Sequence, residues 1–184
     1  MEEEKMSGKL LLFEGVDGVG KSTAIEIVQH QLEHYGYDTY VYKQHAKPWM
    51  DFNTWSYSVL KTASDFTRIL ADNNYYVIFD RAHISQKIYE KELRNKDCIW
   101  FNEYEESIKD IGVLIYITAF QDKIISNIKS RDPNDVIENI SPNIVKAFDQ
   151  AFNDSILPKY TVHNDGDTWD FEAKLRTNVT NKIR

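Results

Sequence analysis

Leu10-Leu11-Leu12-Phe13-Glu14-Gly15-Val16-Asp17-Gly18-Val19-Gly20-Lys21-Ser22-Thr23 is an apolar run that passes through a glycine-rich turn into the start of an amphipathic segment. The turn carries G-x-x-x-x-G-K-S, the P-loop pattern. Its chemistry needs these residue types. Glycines let the backbone curl until several N–H groups and a helix N-terminus face one anion. A polyphosphate is the anion expected, cradled by Gly15, Val16, Asp17, Gly18, Val19, Gly20, Lys21, Ser22 and Thr23. Lys21 reaches the β- and γ-phosphates as a point charge, and the Ser22 hydroxyl serves as a ligand of Mg²⁺.

Outward from this stretch, residues 9–13 form a continuous apolar run, which suits a strand buried on both faces of a parallel sheet. From Gly20 the spacing becomes helical, with Ala24, Ile25, Val28, Leu32 and Tyr35 on one face and Gly36 as the stop. Strands are expected at 38–42, 75–79, 112–117 and 160–162, with helices between them up to about residue 72 and near 85–93, 98–108, 120–130 and 142–156. A last helix, opened by residues 165–168, carries Phe171, Leu175, Val179 and Ile183 on one face. Strands alternating with helices predict an α/β fold, a three-layer α/β/α architecture built on the P-loop around a central parallel five-stranded sheet, as one domain over 1–184. The polar cluster Arg131-Asp132-Pro133-Asn134-Asp135 predicts a lid at about 129–140.

The chain has 184 residues, 42% of them hydrophobic, enough for one well-buried domain and short for two. A formal net charge of -7 argues against nucleic acid as the partner, where a basic stripe is the expected footprint, and points to a small charged substrate. With a single cysteine, Cys98, no intramolecular disulfide is possible. Residues 1–8 lack the basic and apolar regions of a signal peptide, and no run of about 18 apolar residues occurs. A soluble, cytoplasmic protein without membrane partners is expected.

Asp80-Arg81 closes the strand at 75–79, at the sheet end where open α/β sheets bind ligands. FEGVDGVGKST, residues 13–23, resembles the first motif of thymidylate kinases. That family then has D-R-Y at a strand end, with a Ser five residues and an aromatic nine residues after the Asp, and Asp80, Arg81, Ser85 and Tyr89 stand at those spacings. Its lid motif D-R-I-E, with an aromatic seventeen residues after the Asp, is matched by Asp135, Ile137, Glu138 and Phe152.

The resemblance implies transfer of the ATP γ-phosphoryl group to a deoxynucleoside monophosphate, dTMP in the family, by a nucleotide kinase that commonly forms a homodimer. It implies that Asp80 supports the metal or its waters and that Arg81 clamps the acceptor phosphate with its planar fork. Asp17 would accept a hydrogen bond from the sugar 3′-hydroxyl, Ser85 and Tyr89 would line the acceptor site, and Trp55 would supply the flat wall for the base. Family members carry a catalytic cation either in the loop, at the position of Gly18, or in the lid. Gly18 has no charge, so the lid would supply it, with Arg131 first and Lys129 second.

The departures concern the acceptor. The family's R-E-P-G-G is replaced by residues 43–48, Ala82 stands for the aromatic of D-R-Y, Val59 falls where an Arg is expected twenty-one residues before Asp80, Glu90 replaces a Gln, and Val136 replaces the lid Arg. These changes leave open a deoxynucleoside kinase, or a regulatory P-loop ATPase without an acceptor. Divergence of this kind is compatible with a viral enzyme. His45 and His83, both after strand ends, are expected to line the acceptor pocket.

Overall fold

The computed structural model describes residues 9–43, 52–70, 74–131 and 142–184. Five strands form, in the order β2-β3-β1-β4-β5 and parallel throughout. They are β1 (Leu10–Glu14), β2 (Asp38–Lys43), β3 (Tyr75–Asp80), β4 (Gly112–Thr118) and β5 (Lys159–His163). Between and after them lie α1 (Lys21–His34), α2 (Phe52–Leu70), α3 (His83–Arg94), α4 (Phe101–Ile108), α5 (Gln121–Arg131), α6 (Pro142–Asp154) and α7 (Thr168–Leu175). The α/β architecture expected from the alternation is thus observed, and each strand lies within two residues of its expected bounds.

Burial explains the order of the strands. Leu10, Leu11, Leu12 and Phe13 are wholly inaccessible, as an unbroken apolar strand must be when it is central and covered on both faces. Strand β2 instead reads DTYVYK, has no buried residue, and occupies an edge. Helix α1 packs with α7 and with the turn that follows α7, while α4 packs with α2 and α3, and α3 with α6. Helix α1 ends where Gly36 adopts a positive φ and its N–H returns to the Glu33 carbonyl, the stop expected of that glycine.

The last helix shows how a spacing selects a local geometry. Phe171, Leu175, Val179 and Ile183 recur every four residues, and all four are buried. In a regular α-helix such a series drifts by about 40° per step. A π-helical turn at Arg176–Thr180 takes up the extra residue and keeps the series on one face. Tyr76 of β3 then donates its hydroxyl to the Ile183 carbonyl at 2.9 Å, tying the end of the chain to the sheet.

Cys98 packs beside the core, where burial pushes its thiol up to about 12, so it is not a reactive thiolate at neutral pH. Among the described residues no helix is long and apolar enough to cross a membrane.

Candidate active site

The C-terminal ends of β1, β2 and β3 bring the chemistry together, because parallel pairing puts those ends side by side. Phe13 and Lys43 both sit in register with Asp80. The loop after β1 and the first turn of α1 line a cleft of about 620 Å³, and Asp80, Arg81 and Lys43 line it as well.

Residues far away in sequence hold the loop in shape. Gly15 has φ 139°, and a Cβ there would lie 2.3 Å from the Ile117 carbonyl oxygen of β4. Gly20 has φ 95° and opens α1 without a side chain to cap it, so the first-turn amides are left for an anion. Several loop carbonyls are held by side chains that line the cleft. Lys21 Nζ donates to Gly15 O at 2.9 Å and Val16 O at 2.8 Å, Asn127 Nδ2 donates to Gly18 O at 2.7 Å, and Asn164 Nδ2 donates to Val19 O at 2.8 Å. Lys123 Nζ in turn donates to Asn164 Oδ1 at 3.0 Å and to Gly166 O at 2.6 Å. A peptide whose carbonyl is held on one side turns the neighbouring N–H to the other, which is the arrangement a phosphate needs.

Lys21 is buried, and desolvation together with the positive Arg81 lowers its ammonium from 10.5 to about 7, although Asp17, Asp80 and Glu14 pull the other way. A polyphosphate placed against it would restore the charge. Ser22 donates its hydroxyl to Asp80 Oδ2 at 3.2 Å, and Lys43 Nζ lies 3.4 Å from the same oxygen. A hydroxyl and a carboxylate side by side are hard oxygen donors that fit Mg²⁺. No group of three or more His, Cys, Asp or Glu gathers to hold a metal among the described residues, so the rest of such a cation's shell would come from phosphate oxygens and water.

Arg81 is the strained residue of the site, with φ 73° at a non-glycine position. Its guanidinium donates to Asp17 Oδ1, reaches Ser85 Oγ and Tyr89 Oη at 3.4 Å each, and lies 5.3 Å from the centroid of the Tyr89 ring. Burial works against its charge, but Tyr89, Asp17 and Glu14 raise its pKa, so it stays a guanidinium. The phenol of Tyr89 is raised as well, by burial above all, and remains neutral.

Glu14 underlies this group. It is wholly buried, and its Oε1 accepts from the backbone N–H of Ala82 at 2.9 Å and of Ile84 and Ser85 at 3.1 Å each. Its Oε2 accepts the Ser85 hydroxyl. One carboxylate at the end of β1 therefore caps α3 and fixes the corner where Arg81 leaves β3. Ser85, expected at the acceptor, is only 3% exposed and is committed to this support.

Lys21, Ser22, Asp17, Asp80 and Arg81 are thus brought into one cleft, with Tyr89 against Arg81. Sequence reasoning missed Lys43, Asn127 and Asn164 as site residues and the capping role of Glu14. Only the adjacency of Glu14 to the loop carried any signal, since Asn127 and Asn164 act across more than a hundred positions. His83 does not line the cleft. It is wholly buried, with Nε2 2.8 Å from Glu105 Oε1 and its ring against Phe101 and Tyr104. The first turn of α3 points it into the core, and although burial works against the charge, hydrogen bonds from His83, Ser155 and the Ile156 N–H hold Glu105 below the usual carboxylate range. Glu90 is buried and paired with Arg94. His45, the side chains of Trp55 and Arg131, and the lid positions Asp135, Ile137 and Glu138 lie outside the described residues. The backbones of Trp55 and Arg131 belong to α2 and α5.

A parallel sheet in this order, with a phosphate loop leaving its central strand and an Asp-Arg pair at the end of β3, defines a P-loop nucleotide-kinase fold. Many solved structures are similar to it, three of them as follows. YorR protein from Bacillus subtilis, in complex with phosphorylated GDP, aligns with a TM-score of 0.68 at 20% identity over 90% of this chain and 91% of its own. Thymidylate kinase from Candida albicans aligns with a TM-score of 0.59 at 18% identity over 96% and 93%. Deoxyadenosine kinase from M. mycoides with bound dCTP gives 0.56 at 19% identity over 95% and 98%. No protein-family model and no curated protein sequence matches the chain.

Proposed function

We propose that this protein is a nucleotide kinase that transfers the γ-phosphoryl group of ATP to a deoxynucleoside monophosphate, with dTMP as the first candidate. The observation that carries this reading is the Asp17–Arg81 ion pair lining one cleft with the phosphate loop. A guanidinium that keeps its charge and a carboxylate beside it suit the two ends of an acceptor, its phosphate and its sugar hydroxyl. In the step itself an acceptor phosphate oxygen bonds to the γ-phosphorus while the bond to the β–γ bridging oxygen breaks, and ADP leaves with that electron pair. The protein's part is positioning and charge, because little covalent chemistry is asked of it. Lys21 and the loop amides hold the donor, Arg81 holds the acceptor, and Ser22 and Asp80 would hold Mg²⁺. That ion, when bound, neutralises charge on the bridging phosphates.

The charges in the cleft favour a phosphate acceptor over a hydroxyl. A dianionic phosphate attacks without giving up a proton, whereas a nucleoside hydroxyl needs a base. Of the described carboxylates that line the cleft, Asp17 is engaged by Arg81 and Asp80 by Ser22 and Lys43. A second reading, a deoxynucleoside kinase, draws on Val59. It stands where the resemblance calls for an acceptor-binding Arg, and it lines an apolar groove with Tyr40, Tyr42 and Phe66 rather than the cleft.

Incubation with radiolabelled ATP, Mg²⁺ and a panel of deoxynucleoside monophosphates, ribonucleoside monophosphates and deoxynucleosides decides between them. Labelled dTDP is expected; a labelled monophosphate made from a nucleoside would establish the second reading, and ATP hydrolysis without any product would overturn both. Arg131, the last residue of α5, is proposed as the lid cation. Arg131→Ala should lower kcat by about 10²-fold with little change in the KM for ATP, and an unchanged kcat in steady-state assays would remove it from the reaction.

A further inference from the structure

We propose that Lys43 is displaced from Asp80 by the metal ion and then acts on the transferring phosphoryl group, as a catalytic residue that the sequence motifs do not mark. This inference rests on the kinase reading above. Lys43 ends β2 in register with Asp80 at the end of β3, so the side chains of both leave the sheet at the functional edge. Its ammonium lies 3.4 Å from Asp80 Oδ2, the oxygen that also accepts the Ser22 hydroxyl. That is the oxygen a divalent cation between Ser22 and Asp80 requires. Two cations drawn to one carboxylate oxygen repel each other at such distances, and the divalent one, with twice the charge, is favoured there.

The exposures show which group can move. The Lys43 side chain is 57% exposed and Asp80 only 7%. A lysine on a flexible four-carbon stem can swing without disturbing the strand, whereas Asp80 is held by its surroundings. Among the described cations that line the cleft, Lys21 also donates to loop carbonyls, Arg81 to Asp17, and Lys123 to Asn164 and Gly166. Lys43 lines the same cleft as the phosphate loop. Once released it is free to meet a phosphate held by that loop, adding its charge to that of the lid cation. In the metal-free protein it neutralises Asp80; in the loaded protein it neutralises the group in transit.

The two roles predict effects of opposite kind from one substitution. Lys43→Met should tighten Mn²⁺ binding to the full-length protein with a non-hydrolysable ATP analogue, by about 3- to 10-fold in an EPR titration, because the competing cation is gone. It should lower kcat by about 10²-fold with the KM for ATP within about twofold, and Lys43→Arg should recover much of that loss. Unchanged or weaker Mn²⁺ binding in Lys43→Met would overturn the displacement, and an unchanged kcat would overturn the catalytic role. Should the wild-type protein transfer phosphate to no acceptor, the kinase reading and the catalytic role fail together, while the Mn²⁺ titration still decides the displacement.

Discussion

Lys21→Met should reduce phosphoryl transfer by about 10³-fold and at the same time make the folded protein more stable. The two effects share a cause. In the folded chain the ammonium is buried, and desolvation and Arg81 hold it near 7 rather than 10.5. Between those values the unfolded chain binds more protons than the folded one, so folding stability rises with pH across that window, and the burial cost is full below pH 7. A methionine of similar length has no charge to desolvate, so it lacks this cost. Urea denaturation at pH 7 and at pH 10 should therefore show Lys21→Met more stable than wild type at pH 7, with the difference shrinking at pH 10. A difference independent of pH would place the effect elsewhere.

The same group links nucleotide binding to protons. At pH 8 Lys21 is mostly neutral, and a polyphosphate beside it recharges it. Binding of ATP to the wild type should take up close to one proton, seen by calorimetry in buffers of different ionisation enthalpy, and this uptake should vanish in Lys21→Met.

Arg81→Lys should leave the KM for ATP within about twofold and lower kcat/KM for the acceptor by roughly 10²- to 10³-fold. Lysine keeps the charge but not the fork that joins Asp17 on one side and Tyr89 on the other. The residue is held at φ 73° by the Glu14 cap on α3, a conformation that costs a non-glycine residue about 1–3 kcal/mol. Such a cost is understandable where an exact direction of the side chain is needed. Because Asp17 and Arg81 contact one another, Asp17→Asn combined with Arg81→Lys should lose much less than the product of the single losses, and strict multiplicativity in steady-state kinetics would show that they act separately.

What was legible in the sequence is what depends on near neighbours along the chain. The phosphate loop lies within fourteen consecutive residues, its glycines are required by positive φ, and the apolar run before it has the composition of a central strand. Gly36 as the end of α1 and the four-residue series in the last helix are local in the same sense. Asp80 and Arg81 could be placed because a strand end in a parallel sheet is a functional edge. His83 was misplaced because nearness to that edge does not say which way a helix turns its first side chain.

The sequence by itself determined that a phosphate cradle follows a buried central strand in an α/β chain, since steric freedom at glycine and burial on both faces act over a few residues. Only the tertiary structure decided which distant groups complete it. Asn127 and Asn164 pin loop carbonyls, Glu14 caps a helix begun about seventy residues later, and Lys43 meets Asp80 across two strands. Those contacts arise from strand order and register. Register is settled by packing the whole sheet, and pairs that meet only through it leave no spacing along the chain to be read.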